Sequence, residues 1–246
     1  MATAAPCLQA VWHADRMGTY KTPTVPTGYA ALDDELPEGG WPASMLIELL
    51  LPHSGIGEMR LLRPALSAIA EERRIAFVQP PHLPQIATCT AWEIAPERLL
   101  WIKTAHAPDA LWSAEQILRN GSCGALLCWQ TQIRSEALRR LHLAAQAAGT
   151  VFWMMRPMTA AQQPSPAPLR LGLMPARGGI RIRMVKRRGP WREDSFDVPF
   201  PEMTAFPFNA ASTSHAFLDR RTPTLVTARS DTPELVGTGQ ACGAGS

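Results

Sequence analysis

The chain has 246 residues, 46% of them hydrophobic, which is ample for a sizeable core. Lys and Arg exceed Asp and Glu by only 24 to 21, and a formal charge of +3 is too small for the total to argue nucleic-acid binding, so that case rests on local clustering. The five cysteines (Cys7, Cys89, Cys123, Cys128, Cys242) form no CxxC pair and have no His at metal-ligand spacing, which excludes a recognisable metal site and points to free thiols in a reducing compartment.

The N-terminus lacks a basic region followed by a long apolar stretch, and no apolar run approaches the roughly 20 residues of a membrane span. The expectation is a soluble, cytoplasmic protein without membrane contact. Residues 1–26 are mixed, with Trp12 as the large apolar anchor and Pro23 and Pro26 as breakers, and read as an N-terminal arm. Thr27 then caps a short helical segment from Tyr29 to Leu36, closed by a Pro/Gly turn at Pro37 to Pro42.

A first strand over Met45 to Leu51 leads through PHSGIG into a helix from Gly57 to Arg73, with Met59, Leu62, Leu66, Ile69 and Ala70 on one face. IAFVQ (Ile75 to Gln79) is a second strand, Leu83 to Trp92 a helix, and LLWIK (Leu99 to Lys103) a third strand. Asp109 to Asn120 reads as a helix ending on Gly121, a natural left-handed cap. GALLCW (Gly124 to Trp129), a helix from Ser135 to Ala148 closed by Gly149, and TVFWMM (Thr150 to Met155) complete the alternation. Short apolar strands separated by helices imply an α/β fold, a mainly parallel sheet covered on both faces.

After the polar, proline-rich stretch Arg156 to Pro168, the sequence alternates apolar and polar residues around Gly178-Gly179. This predicts antiparallel strands that extend the same sheet at one edge. From Thr204 to Ser246 few apolar residues cluster, and the composition reads as a disordered tail, in which Phe206, Phe208, Phe217 and Leu218 suit a segment that orders on a partner. The domain reading is therefore an arm over 1–26, a folded unit over 27–203 and a tail over 204–246.

The chemistry should sit in the loop between the first strand and its helix. A phosphate-binding loop, G-x-x-x-x-G-K-[ST], needs glycines so that backbone N–H groups face phosphate, a lysine for charge and a hydroxyl for Mg²⁺. With Gly57 as the second glycine, Pro52 takes the place of the first, Glu58 that of the lysine and Met59 that of the hydroxyl, so Ser54, Gly55 and Gly57 are what remains. A carboxylate repels β- and γ-phosphates, and a thioether is a poor ligand for a hard cation. GALLCWQ ends in Trp129 and Gln130, where an NTPase strand carries an acidic Mg²⁺ partner. The loop reads as a degenerate nucleotide site: no catalysis, no bound cofactor. His53 and His82 lack a Ser or Cys nucleophile at recognisable spacing and are not read as catalytic.

These residues also carry a resemblance. TGYAALDDELPEGGWPASMLIELLLPHSGIG resembles the entry into the RecA recombinase core, and AFVQPPH resembles the RecA strand whose water-activating acidic residue precedes a histidine, with Pro81 in its place. WPASMLIELL and the general layout over residues 27–200 look closest to the ImuA family, the RecA-like accessory proteins of bacterial error-prone repair cassettes. LRNGSCGALLCWQ to AGTVFWMMRP also resembles SulA, the cell-division inhibitor. The ImuA resemblance implies a non-catalytic adaptor in SOS-induced translesion synthesis, working with an ImuB-type Y-family homologue and an error-prone C-family DNA polymerase; RecA itself is a further partner that the shared fold implies. A SulA-like inhibitor of the tubulin-like division protein and a divergent ATPase are the alternatives.

The remaining signal is basic. Arg177, Arg181, Arg183, Lys186, Arg187, Arg188 and Arg192 follow Arg170 with no acidic residue before Glu193, and Trp191 lies among them. Arg181 and Arg183 alternate with apolar residues and so share one side of a strand. Such a stripe suits direct contact with DNA phosphates or an acidic partner, or equally a solvated edge strand protected from aggregation. Trp129, Phe152 and Trp153 fall on buried strands and read as core.

Overall fold

The computed structural model describes residues 23–82, 86–189 and 194–201. The tail reading, most of the arm reading, and Trp191 and Arg192 of the basic stripe lie outside them. The elements, in chain order, begin with β1 (Thr24–Val25), α1 (Ala30–Asp33) and β2 (Trp41–Pro42). Then come β3 (Leu46–Leu51), α2 (Glu58–Glu72), β4 (Arg74–Val78), α3 (Ile86–Ala91), β5 (Leu99–Ile102) and α4 (Ala107–Asn120). β6 (Cys123–Trp129), α5 (Ser135–Ala148), β7 (Val151–Pro157), β8 (Leu169–Ala176), β9 (Gly179–Lys186) and β10 (Phe196–Pro199) complete them.

Eight strands form one sheet in the order β10-β9-β8-β3-β7-β6-β4-β5, and β1 and β2 pair in a small antiparallel sheet of their own. From β8 to β5 all neighbours are parallel, whereas β9 runs antiparallel to both β8 and β10. The α/β class and the antiparallel extension at one edge are as the sequence implies. The reason is plain in β3, β6 and β7: parallel strands covered on both faces must be apolar at nearly every position, and LIELLL is buried throughout.

Side chains alternate between two cores. Ile47, Leu49, Phe77, Leu127 and Trp153 face Leu61, Leu62, Ala65 and Leu66 of α2. Leu46, Ala76, Leu126, Phe152 and Met154 face Ala114, Leu118, Leu138 and Leu141 of α4 and α5 on the other side. Trp41 meets Trp153 edge to face at 5.7 Å, closing one end of the α2 layer. Phe152 and Trp153 are fully buried, as read, but Trp129 is only partly so: its ring stacks on Phe77 with centroids 6.2 Å apart, and its edge reaches a surface cleft.

Three local differences from the sequence reading have physical causes. The first helix is a single turn, Ala30–Asp33, because the Asp34–Leu36 segment gives way to Pro37. The Thr27 hydroxyl does not cap it in the usual way; it accepts from the Tyr29 N–H at 3.1 Å, while Asp33 accepts from the Thr27 N–H at 3.0 Å. On α2 the buried face is Leu61, Leu62, Ala65, Leu66 and Ala70, together with Glu58, with Met59 and Ile69 only partly covered at its flanks.

Arg73, just after α2, ties the layers together. Its guanidinium donates to the carbonyls of Gly149 (2.8 Å), Gly121 (2.9 Å) and Cys123 (2.7 Å). A cation thus sits where the C-terminal dipoles of α4 and α5 end.

Candidate functional site

The parallel strands end on one side of the sheet, and ligands of open α/β folds bind in the crevice outside those ends, where neighbouring strands send their connections in opposite directions. Here β3 and β7 make that point: β3 continues to β4, three strands away beyond β7 and β6, while its neighbour β7 continues the opposite way, past β3 to β8. The β3–α2 loop, PHSGIG, closes the crevice.

The loop is built to present N–H groups. Gly55 (φ 90°) and Gly57 (φ 112°) both adopt left-handed backbone, and a Cβ on Gly57 would lie 2.8 Å from the Phe200 ring, so only glycine fits there. The N–H groups of Gly55 and Gly57 converge, but on a side chain of the same loop. Glu58 Oε1 accepts from Gly55 at 2.8 Å and Oε2 from Gly57 at 3.2 Å. Glu58 is buried in the first turn of α2, where the helix dipole also favours a negative charge.

The expectation from sequence was that Glu58 would repel phosphate. The geometry adds occupancy: the carboxylate sits on the donors that a phosphate would use. Pro52, His53 and Ser54 line the neighbouring crevice, and Met59 the apolar pocket beside it, with no lysine or arginine of the loop among them. Among the described residues no group of three or more His, Cys, Asp or Glu could hold a metal ion.

Behind the loop lies a feature that the sequence reading did not identify. Glu48, in the middle of the apolar β3, is fully buried and bound by two guanidiniums: Arg156 Nη1 at 3.0 Å to Oε1, and Arg170 Nε at 2.5 Å to Oε2. The Ser165 hydroxyl adds a donor to Oε1 at 2.9 Å. Arg156 also donates to Gln163 Oε1 (2.7 Å), and Arg170 to the carbonyls of Ala160 (2.7 Å) and Gln163 (3.1 Å) in the β7–β8 connection. The network fixes that connection to β3. One carboxylate between two buried guanidiniums leaves an excess positive charge beneath the crevice.

Gln79, at the end of β4, is held at φ 54° and donates to the carbonyl and hydroxyl oxygens of Thr104, both at 2.7 Å. It lines a cleft of about 470 Å³ with Pro52, Ser54, Pro81, Trp129 and Arg156. A second, mainly apolar pocket of about 320 Å³ adjoins it through Pro81 and Trp129, and is lined by Met59, Leu66, Phe77 and Trp92.

The basic stripe is divided by the fold. Arg181 and Arg183 do share one exposed side of β9, but Arg181 is paired with Asp197 of β10 at 2.7 and 2.9 Å. Lys186 donates to the Ser165 carbonyl at 2.9 Å, and Arg187, half-buried, binds both the carbonyl (2.6 Å) and the carboxylate of Glu35 (3.2 Å). Arg170, counted with the stripe in sequence, is buried on Glu48. Arg177, Arg183 and Arg188 are exposed.

No protein-family model matches the chain. The cell division inhibitor SulA of Edwardsiella piscicida is similar to it, 28% identical over 98 residues that make up 39% of this chain and 58% of that protein. The chain therefore spans little more than half the length of this curated relative. The crystal structure of SulA from Pseudomonas aeruginosa aligns with a TM-score of 0.39 and 24% identity, covering 47% of this chain and 99% of that one. Among the described residues no helix is long and apolar enough to cross a membrane. The sequence match supports a weak, partial, SulA-like relation, and the ImuA resemblance does not follow from it.

Proposed function

We propose that the protein acts by binding other proteins, without turning over nucleotide, as a RecA-like accessory factor of SOS-induced translesion synthesis. The observation that carries the non-catalytic part is Glu58 on the N–H groups of Gly55 and Gly57, which takes two of the loop's donors from a phosphate and sets a carboxylate in its place. A strand-loop-helix unit kept in shape but filled by its own side chain is a scaffold. The surfaces around it then carry the function.

The finer reading, an adaptor for an ImuB-type Y-family homologue and an error-prone C-family polymerase, rests on the resemblance over residues 27–200. Co-purification of the full chain with an ImuB-type protein or with RecA tests it, and absence of either complex where a control pair associates defeats it. Titration with Mg-ATP tests the non-catalytic part: a micromolar dissociation constant or turnover would restore the divergent-ATPase reading.

A second reading has its own support. Of the two, the SulA match favours an inhibitor of division-ring assembly, and it is the better supported by comparison with known proteins. Against it stands coverage, since most of this chain lies outside the matched 39%. Filamentous growth on overexpression, with loss of tubulin-like polymer assembly in vitro, would decide for division inhibition.

A further inference from the structure

Beside the β3–α2 loop lies the apolar pocket of about 320 Å³, with Met59, Leu66, Phe77, Trp92 and Leu99 in its walls. No lysine or arginine is among the described residues that line it, and the carboxylate among them, Glu58, is turned onto the N–H groups of Gly55 and Gly57. The occupant that such walls select is uncharged and apolar. A dry cavity of about 150 Å³ already takes a benzene ring, so the size admits aromatic side chains.

The chain itself brings such side chains to the rim of this pocket. After β10 the Phe200 N–H donates to the Gly178 carbonyl at 2.9 Å, and the Phe200 ring lies over Gly57, where a Cβ would stand only 2.8 Å from it. The Arg60 guanidinium sits 4.6 Å from the centroid of that ring and donates to the Pro201 carbonyl at 3.1 Å, and Tyr29 packs against the ring at 6.0 Å. Gly55 and Glu58, on either side of Gly57 in the loop, belong to the pocket wall. The described residues thus end at Pro201, pinned to the same loop that forms the pocket's rim.

Five and seven positions beyond Pro201 stand Phe206 and Phe208, with Pro207 between them. Five residues span up to about 18 Å when extended, more than the roughly 10–12 Å width of a helix with its side chains, so Phe206 can reach across the first turn of α2. Pro207 restricts its own φ and the backbone of Phe206, which lowers the entropy lost on docking. A tether this short gives an effective concentration of about millimolar, so these rings outcompete a second copy at micromolar concentration.

We propose that the chain caps its own pocket: the Phe206-Pro207-Phe208 segment crosses the β3–α2 loop and sets its aromatic rings against Phe77 and Trp92. The surface on which this segment orders is then the protein's own, and a partner residue bound for the pocket has to displace it. The inference goes beyond the functional reading above and holds equally for an adaptor and for a division inhibitor.

Cys89, a buried thiol in the pocket wall, reports occupancy. The full chain is treated with N-phenylmaleimide and labelling is read residue by residue by mass spectrometry, with buried Cys123 and Cys128 as references for the fold. A double variant, Phe206→Ala with Phe208→Ala, should label at Cys89 about tenfold faster than wild type, a factor that burial of one aromatic ring sustains. Phe217→Ala, farther along the chain, should label as wild type does. N-acetyl-Phe-Pro-Phe-amide at about millimolar concentration, the level the tether supplies, should restore protection to the double variant. Equal labelling of wild type and double variant, an equal gain in Phe217→Ala, or failure of the peptide to protect overturns the proposal. Wild-type protection that fades on dilution overturns it too, because the rings would then come from a second copy.

Discussion

The Tyr29 hydroxyl donates to the Arg60 carbonyl at 2.9 Å. That carbonyl is the one left without its helical donor by Pro64, four residues on and inside α2. Proline in a helix interior normally costs a hydrogen bond, and here a side chain from the α1 entry replaces it. The approach is close: Gly28 adopts φ 83°, and a Cβ there would lie 2.4 Å from Pro64 Cβ. Burial raises the Tyr29 phenol above its ordinary value, with Arg60 and Arg63 opposing, so it remains the protonated donor this role needs. Tyr29→Phe should cost about 1 kcal/mol in urea unfolding. In a Pro64→Ala background, where residue 64 supplies its own N–H, the cost should shrink; an unchanged cost in the double-mutant cycle rejects the coupling.

Glu58 should matter to folding. Replacing it with Ala leaves the N–H groups of Gly55 and Gly57 facing a small void, and about 1–3 kcal/mol of stability should be lost, read as a lower urea midpoint at constant slope. Glu58→Gln keeps an oxygen acceptor and should recover part of it. Equal stability of wild type and Glu58→Ala would mean that the loop does not depend on its internal anion.

A larger effect belongs to Glu48. Removing the charge as Glu48→Gln strands Arg156 and Arg170, whose side chains are 1% and 6% exposed, and should destabilise by about 3 kcal/mol or more. Replacing all three residues with apolar ones of similar volume should be far milder, because the burial of two unmatched guanidiniums disappears with the carboxylate. Thermal melts of the single and triple variants make the comparison; a single variant as stable as wild type contradicts it.

These sites differ in how readable they are from sequence. The apolar runs of β3, β6 and β7 announce a two-sided parallel sheet, and Gly121 and Gly149 do end α4 and α5 in left-handed conformation, at φ 58° and 60°. Loss of the phosphate loop is equally legible, because that motif is local. The destination of the Glu58 carboxylate is not, since a bond to the N–H of Gly55 depends on the loop's backbone angles. Glu48 in an apolar run signals a buried charge, but its partners lie 108 and 122 residues away, so nothing at the level of spacing connects them. The basic stripe misleads for the same reason: Arg170 and Arg187 find Glu48 and Glu35 only when the sheet closes.

His142 gives the fold a dependence on mild acid. It lies on α5, its Nδ1 is buried without a partner, and its pKa is lowered from the ordinary 6.5 by burial first and then by Arg188 and Lys186. Below pH 6.5 the unfolded chain takes up a proton that the folded chain resists. The stability contributed by neutral His142 is therefore fully present above pH 6.5 and is lost as pH falls toward and through the lower folded value. Urea midpoints at pH 7.5 and 5.5 should fall further for wild type than for His142→Gln, which cannot titrate, and the difference should open only below about 6.5. Neutralising Arg188 as Arg188→Gln removes one of the two cations opposing protonation, so the His142 titration followed by NMR should move upward. Identical pH dependence of wild type and His142→Gln would show that the acid sensitivity originates elsewhere in the chain.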